Sequence, residues 1–202
     1  MEIRSYELFA VPPRWLLLKL ETSDGMVGWG EPSLQGRTKS VRAAVEELVE
    51  RYLIGADPRR TEHVWRRLHQ SGYFRGGPVL LSALSGIDQA LWDIKGRHLG
   101  CPVYELLGGH VRERMLVYAW VGGETPARMA EEARTRVDHG FQAIKLNLPP
   151  SEFSHLETLA RTEDIVDHVA AVREAVGEDV LVGVDFHGRV RRPMASRLID
   201  LL

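Results

Sequence analysis

The stretch Val182-Gly183-Val184-Asp185-Phe186-His187-Gly188-Arg189 leads from a hydrophobic strand directly into a carboxylate, an imidazole and a glycine. Because side chains alternate in direction along a strand, Asp185 and His187 are predicted to project on the same side. A carboxylate beside an imidazole suits a divalent cation with an acid/base catalyst next to it. The same residues also fit a strand that ends in an Asx turn without any chemical role, and on these residues alone both interpretations stay open.

Strand and helix patterns alternate from residue 111 onward. The apolar residues before Asp185 predict a strand buried on both faces, as in a parallel sheet, with its polar residues at the C-terminal end, where such folds keep their chemistry. The spacing predicts βαβ units with right-handed crossovers. The connection from Pro149 to Leu159 is expected at the same edge as Asp185. Strands are predicted at Met115–Val121, Phe141–Asn147 and Val180–Asp185, and helices at Pro126–Val137, Thr162–Val176 and Pro193–Leu202.

Residues 1–110 follow a different pattern, with three strands before a group of helices. The second strand carries Leu16, Leu18 and Leu20 on one face, and Ser23-Asp24-Gly25 supplies a hairpin turn after it. This order predicts a separate α+β domain built on a three-stranded meander. Its strands are predicted at Ile3–Val11, Trp15–Glu21 and Met26–Gly30, and its helices at Thr38–Tyr52, Thr61–Gln70, Pro78–His98 and Pro102–Leu107.

Composition excludes several classes of protein. The 202 residues carry a net charge of −2, which argues against a nucleic-acid surface. The arginine pairs Arg59-Arg60 and Arg66-Arg67 are interpreted as solvated faces, with small-anion binding as the alternative. The single Cys101 allows no internal disulfide, and no zinc-ligand spacing occurs. Neither a signal peptide nor an apolar run long enough for a membrane span is present, so we expect a soluble, cytoplasmic protein.

One long stretch resembles a family signature. From Ala83 to Gly108, with Gly86-Ile87-Asp88-Gln89-Ala90-Leu91-Trp92-Asp93 at its centre, the chain is similar to the mandelate racemase and muconate lactonizing branch of the enolase superfamily. The resemblance implies an N-terminal capping domain over residues 1–110, followed over residues 111–202 by the first three βα units of a TIM-type (β/α) barrel. Asp88 and Asp93 are interpreted as structural, and Arg97 is placed for an ion pair with Asp93.

Within that superfamily, further stretches resemble the dehydratases that act on sugar acids such as D-galactonate. The resemblance implies that Asp185 is the first of three acidic Mg²⁺ ligands and that His187 protonates the departing 3-hydroxyl. It also implies that loops of the capping domain help to select an aldonate substrate, with Arg14, Trp15, Tyr73 and Arg75 as candidate contacts. The stretches are Pro12–Trp15, Gly28–Pro32, Tyr73–Pro78, Ile144–Asn147 and Asp185–Arg189.

The implied chemistry explains these residue types. Removing the proton next to a carboxylate creates a second negative charge, which a hard cation stabilises. Racemizing relatives carry a Lys-x-Lys pair on the strand of Lys145, but here the second position is Asn147. We therefore do not assign Lys145 as the base. Either Lys145 supports the metal and the substrate carboxylate electrostatically, or Asn147 binds a substrate hydroxyl. For Glu31 and Arg189, a role in the site and a structural role in a turn both stay open. The remaining histidines, His168 among them, are interpreted as surface or turn residues.

The length leaves the barrel incomplete. A closed (β/α)₈ barrel requires roughly 200 residues by itself, and the implied further metal ligands and His-Asp base have no counterpart here. We expect this chain to be the N-terminal half of an enzyme and to be inactive alone. The missing half would be supplied by another chain, or the protein at full length would form a homo-oligomer. The alternative is a non-catalytic α+β binding module, or a decayed fragment of another acid-sugar dehydratase or racemase.

Overall fold

The computed structural model describes residues 1–147, 159–188 and 190–202, which form two compact units, Met1–Val111 and Arg112–Leu202. Residues 149–158 of the predicted connection, and the candidate Arg189, lie outside the described residues, whereas Leu159 begins a helix. Unit 1 contains β1 (Ile3–Val11), β2 (Trp15–Thr22), β3 (Val27–Gly30), α1 (Thr38–Leu48), a π-helical turn (Val49–Leu53), α2 (Thr61–His69), α3 (Pro78–Leu99) and α4 (Val103–Leu106). Unit 2 contains β4 (Ala119–Val121), α5 (Pro126–Asp138), β5 (Ala143–Asn147), α6 (Leu159–Val176), β6 (Leu181–Asp185) and α7 (Arg192–Ile199).

The sheet of unit 1 is the predicted antiparallel meander, in the order β1-β2-β3. Leu16, Leu18 and Leu20 of β2 are completely buried, as their alternation predicted. They share one hydrophobic core with the apolar stripes of α1 and α3. The helices thus cover one face of the sheet.

Helix α3 approaches β3 unusually closely, and glycines make this possible. A Cβ atom at Gly28 would lie 2.3 Å from the carbonyl oxygen of Ala90, and one at Gly86 would lie 2.6 Å from Pro32. Across this contact the backbone N–H of Trp29 donates to Asp93 Oδ2 at 3.0 Å. The signature helix and the Gly28–Pro32 stretch are therefore two halves of one packing unit.

Unit 2 contains the predicted parallel sheet, in the order β4-β5-β6. Its core includes Val121 and Leu146 of the sheet with Met129 and Val172 of the helices. Helix α5 begins as predicted, because the Thr125 hydroxyl accepts the backbone N–H of Arg128 at 3.3 Å. No helix in the described ranges is both long and apolar enough to cross a membrane.

In most elements the predicted bounds differ from the observed ones by up to three residues, and in two elements one bound differs by four. The strand predicted at Met115–Val121 is confined to Ala119–Val121, because only those residues pair with β5. The helix predicted to reach Tyr52 ends at Leu48 and continues as the π-helical turn. A single-turn change of hydrogen-bond pattern leaves the apolar periodicity almost unaltered, so the sequence does not reveal it.

The surface interpretation of His168 is wrong. Its side chain is 1% exposed on α6, on the helix face that also carries the buried residues Ile165 and Val172. Nδ1 lies 2.7 Å from the backbone oxygen of Asp164, whereas Nε2 is buried and has no hydrogen-bond partner within the described part of the chain. Its spacing from Ile165 and Val172 places it on the apolar stripe, and this spacing outweighs the polarity of the ring.

Candidate functional site

The candidate site lies at the C-terminal edge of the parallel sheet. Asp185 is the last residue of β6 and pairs in register with Asn147, the last residue of β5. Phe186, directly after Asp185, packs with Ile165 and Leu198 and anchors the chain where it leaves the strand. Parallel pairing therefore brings the ends of both predicted site strands to one place.

Both oxygens of the Asp185 carboxylate are engaged. Oδ1 accepts the backbone N–H of His187 at 2.8 Å, and Oδ2 lies 3.0 Å from Nζ of Lys145. The N–H of His187, and then the Lys145 ammonium, hold the pKa of Asp185 below its ordinary value because both favour the charged form. The first hydrogen bond is that of an Asx turn, so a structural role for Asp185 is present together with the ion pair.

His187 reaches the same carboxylate, but not for the predicted reason. The strand ends at Asp185, so alternation along a strand does not extend to His187. His187 instead has φ of 49°, in the left-handed region. This turn places Nδ1 3.6 Å from Oδ1 of Asp185 and leaves 42% of the side chain exposed. An exposed ring beside a carboxylate is open to a substrate and can hold or donate a proton.

Lys145 and Asn147 border the carboxylate from β5. The ammonium of Lys145 also lies 5.9 Å from the centre of the Tyr118 ring, a contact that no pattern in the sequence indicated. Oδ1 of Asn147 is buried and has no hydrogen-bond partner among the residues that the structure describes. An unsatisfied buried acceptor costs free energy until it meets a donor, so this atom is suited to a ligand hydroxyl or amine.

The described residues supply one oxygen ligand of the kind that a magnesium ion prefers. Mg²⁺ prefers oxygen ligands in octahedral array, and the Asp185 carboxylate fits one such position. Among the described residues there is no group of three His, Cys, Asp or Glu side chains that could hold a metal ion. Asp185 is therefore suited to be one ligand, and the described part of the chain does not complete a magnesium site.

The candidate substrate contacts of unit 1 lie in two loops. Arg14, in the turn between β1 and β2, stacks its guanidinium 5.1 Å from the Trp15 ring. In the loop before α3, Tyr73 is 93% exposed and meets Phe74 edge to face. Nε of Arg75 donates to the carbonyl of Gly72. Each loop presents an aromatic group and a cation to solvent.

Glu31 is part of the packing between β3 and α3. Its backbone N–H donates to Oε1 of Gln89 at 2.8 Å, and its side chain is exposed. Glu31 therefore has a structural role, although as a backbone contact to α3 and not in a turn.

Comparison with known proteins gives matches over both units. Residues 12–108 match the N-terminal domain of mandelate racemase and muconate lactonizing enzyme, and residues 128–202 match the enolase C-terminal domain-like family. A D-galactonate dehydratase of Ralstonia nicotianae is 49% identical over all 202 residues and 52% of its own length, and one of Pectobacterium atrosepticum is 48% identical over the same shares. The chain thus spans about half the length of these curated relatives.

Solved structures give the same result. A member of the enolase superfamily from Salmonella Typhimurium superposes with a TM-score of 0.89 at 28% identity, over 99% of this chain and 58% of that one. A mandelate racemase/muconate lactonizing enzyme from Jannaschia sp. superposes with a TM-score of 0.88 at 28% identity, over 100% of this chain and 58% of that one.

Proposed function

We propose that this chain, which belongs to the mandelate racemase and muconate lactonizing branch of the enolase superfamily, supplies part of the active site of a magnesium-dependent sugar-acid dehydratase. The observation that carries the proposal is the cluster of Lys145, Asp185 and His187 at the sheet edge. The relatives named D-galactonate dehydratase support D-galactonate, or an aldonate close to it, as the substrate.

The reaction removes water from the acid. The proton on C2 leaves to a base that we do not assign among the described residues. The C3–O bond then breaks, and the hydroxyl departs as water with a proton from His187. The resulting enol tautomerises to a 2-keto-3-deoxy acid. When bound, Mg²⁺ would stabilise the second negative charge that builds on the carboxylate after proton loss.

Each residue of the cluster has a separate task in this scheme. Asp185, kept ionised by its two partners, would supply a metal ligand. Lys145 is paired with Asp185 and therefore serves as a fixed positive charge near the substrate carboxylate, not as the base. The open acceptor on Asn147 would take a hydrogen bond from a substrate hydroxyl. We propose Arg14, Trp15, Tyr73 and Arg75 as residues that help to select the aldonate.

A second candidate function is a non-catalytic binding module. It is favoured by one observation, namely that the described residues contain no complete metal-ligand group. For the same reason we expect the 202-residue chain to be inactive alone. Sustained formation of a 2-keto-3-deoxy acid from D-galactonate and Mg²⁺ by this chain would contradict that expectation.

The test of the dehydratase proposal is a chimaera. Residues 1–202 are joined to the part of the Ralstonia nicotianae relative that this chain does not match, and product formation is compared with that of the intact relative. Asp185→Asn and His187→Asn should each lower kcat by about 10²- to 10⁴-fold, the usual contribution of a positioned acid or charge. Asp138→Asn and His139→Asn, at the exposed end of α5, are the matched controls.

The outcomes separate the candidates. Full activity of either site variant would remove that residue from the mechanism. A folded chimaera that binds Mg²⁺ without turning over D-galactonate, beside an active intact relative, would favour the binding module.

A further inference from the structure

Unit 1 contains a cavity of about 180 Å³, and Arg75 is the one residue of its lining that is also proposed above as an aldonate contact. It lies among the C-terminal end of α1, the π-helical turn, the end of α2, the loop over residues 71–77 and the start of α3. Its volume is below the roughly 300–1,000 Å³ of sites for drug-sized ligands, so it suits a smaller molecule. Apolar side chains line much of it, among them Leu48, Leu68, Phe74 and Leu84.

The π-helical turn forms one wall of this cavity and supplies Arg51 and Tyr52 to its lining. Such turns are rare and occur often at functional sites. Tyr52 is held in place, because its hydroxyl donates to the carbonyl of Ser71 at 3.2 Å. The guanidinium groups of Arg51 and Arg67 lie 5.2 and 5.7 Å from its ring centre. The wall is therefore tied to the residue Ser71 and carries positive charge.

The cations of the cavity lack anionic partners within the described chain. Arg51 and Arg75 both line it, and neither forms an ion pair with a carboxylate of the described residues. Arg75 uses only Nε, which donates to the Gly72 carbonyl, so its terminal N–H groups stay available. Glu47 is the acidic group of the lining; it is exposed and likewise forms no ion pair there. Guanidinium groups bind carboxylates through paired hydrogen bonds.

We propose that this cavity binds a small organic carboxylate with an apolar body. The carboxylate pairs with the guanidinium groups of Arg51 and Arg75, and the apolar body lies against Phe74 and Leu84. Phe74 is 88% exposed, so covering it removes apolar surface from water. The site requires no metal and no residue of unit 2, and it shares only Arg75 with the residues proposed above to select the aldonate.

The test is isothermal titration calorimetry of the 202-residue chain without Mg²⁺, with 4-phenylbutyrate as the probe. Saturable one-to-one binding is expected, and the uncharged 4-phenylbutanamide should bind at least about tenfold more weakly because it lacks the charge-assisted pair. Arg51→Gln and Arg75→Gln should each lower the affinity for 4-phenylbutyrate by about tenfold. Arg60→Gln, an exposed cation outside the lining, is the matched control and should leave the affinity unchanged.

A second variant checks the apolar half of the site. Phe74→Ala should lower the affinity for 4-phenylbutyrate and leave the weak affinity for acetate unchanged. Circular dichroism melting of each variant confirms that it is folded.

No saturable binding at millimolar 4-phenylbutyrate would overturn the proposal. Equal binding of acid and amide, or unchanged affinity in both arginine variants, would do the same. Tighter binding of D-galactonate, which has no apolar body, than of 4-phenylbutyrate would also overturn the proposal. None of these results depends on dehydratase activity, which the chimaera measures separately.

Discussion

Replacing Gly30 by Ala should strongly destabilise unit 1, although it adds only one methyl group. An added Cβ would lie 1.9 Å from the carbonyl oxygen of Gly86, 2.9 Å from its carbonyl carbon and 3.1 Å from the backbone N of Ala90. All three atoms belong to the helix backbone, so no side-chain rotamer can relieve the overlap. Helix α3 would have to move away from β3.

The cost follows from the contacts that such a movement breaks. Overpacking alone costs about 1–3 kcal/mol. Separation of α3 from β3 also weakens the hydrogen bonds that the N–H groups of Trp29 and Glu31 donate to Asp93 and Gln89. A bond to a charged acceptor contributes about 1.5–3 kcal/mol and a neutral one about 0.5–1.5 kcal/mol. We expect a loss of about 3 kcal/mol or more in the free energy of unfolding.

Urea denaturation followed by tryptophan fluorescence measures this loss. Trp15, Trp29, Trp65 and Trp92 belong to unit 1 and only Trp120 to unit 2, so the signal reports chiefly on unit 1. Gly72→Ala is the matched control, since its Cβ would meet nothing closer than 3.4 Å. If Gly30→Ala unfolds within about 0.5 kcal/mol of the unchanged chain, the level of an ordinary surface substitution, the close approach of α3 to β3 is refuted.

Three further predictions concern titrating groups and their partners. Lys145→Met should raise the pKa of Asp185 toward its ordinary value, measured by carboxyl ¹³C NMR; an unmoved pKa would show that the N–H of His187 sets it alone. Burial, and then the hydrogen bond to Glu50, raise the pKa of Tyr6 to about 12, so phenolate absorbance should appear near that pH and Glu50→Gln should lower the value. Because this pKa is raised, the stabilisation from Tyr6 is complete below pH about 10, the ordinary pKa of tyrosine, and is lost as the pH rises through about 12. A Tyr6→Phe variant that loses the same stability at alkaline pH would contradict this. The Arg59 side chain, with the backbone N–H of Arg59, lowers the pKa of Asp57 to about 2. The stabilisation from Asp57 should therefore persist above pH about 4 and disappear as the pH falls through about 2, and Arg59→Gln should weaken that dependence, measured by acid denaturation.

Local signals predicted much of the fold because they act over a few residues. Alternating leucines on β2 placed the core of unit 1, and Thr125 marked the start of α5. The ion pair predicted from the spacing of Asp93 and Arg97 is present at 3.0 Å. In these cases the periodicity of strand or helix decides which atoms can meet.

Features that depend on contacts between distant segments could not be predicted in this way. Histidine is enriched in the left-handed region relative to most residues, but the residue type alone does not place His187 there; the turn after β6 does. The open acceptor on Asn147 and the ring of Tyr118 beside Lys145 depend on the packing of neighbouring strands. The candidate site was therefore predictable as a set of residues, whereas its geometry was not.

The hydrogen bonds between β3 and α3 also protect the open edge of a sheet. A strand at such an edge normally presents free N–H groups, which invite a strand from another molecule to join it. Here Asp93 and Gln89 of the covering helix already accept the outward N–H groups of Trp29 and Glu31. At these two positions, one in β3 and one directly after it, the meander cannot extend into an intermolecular sheet, so the signature helix guards the β3 edge against pairing with another molecule.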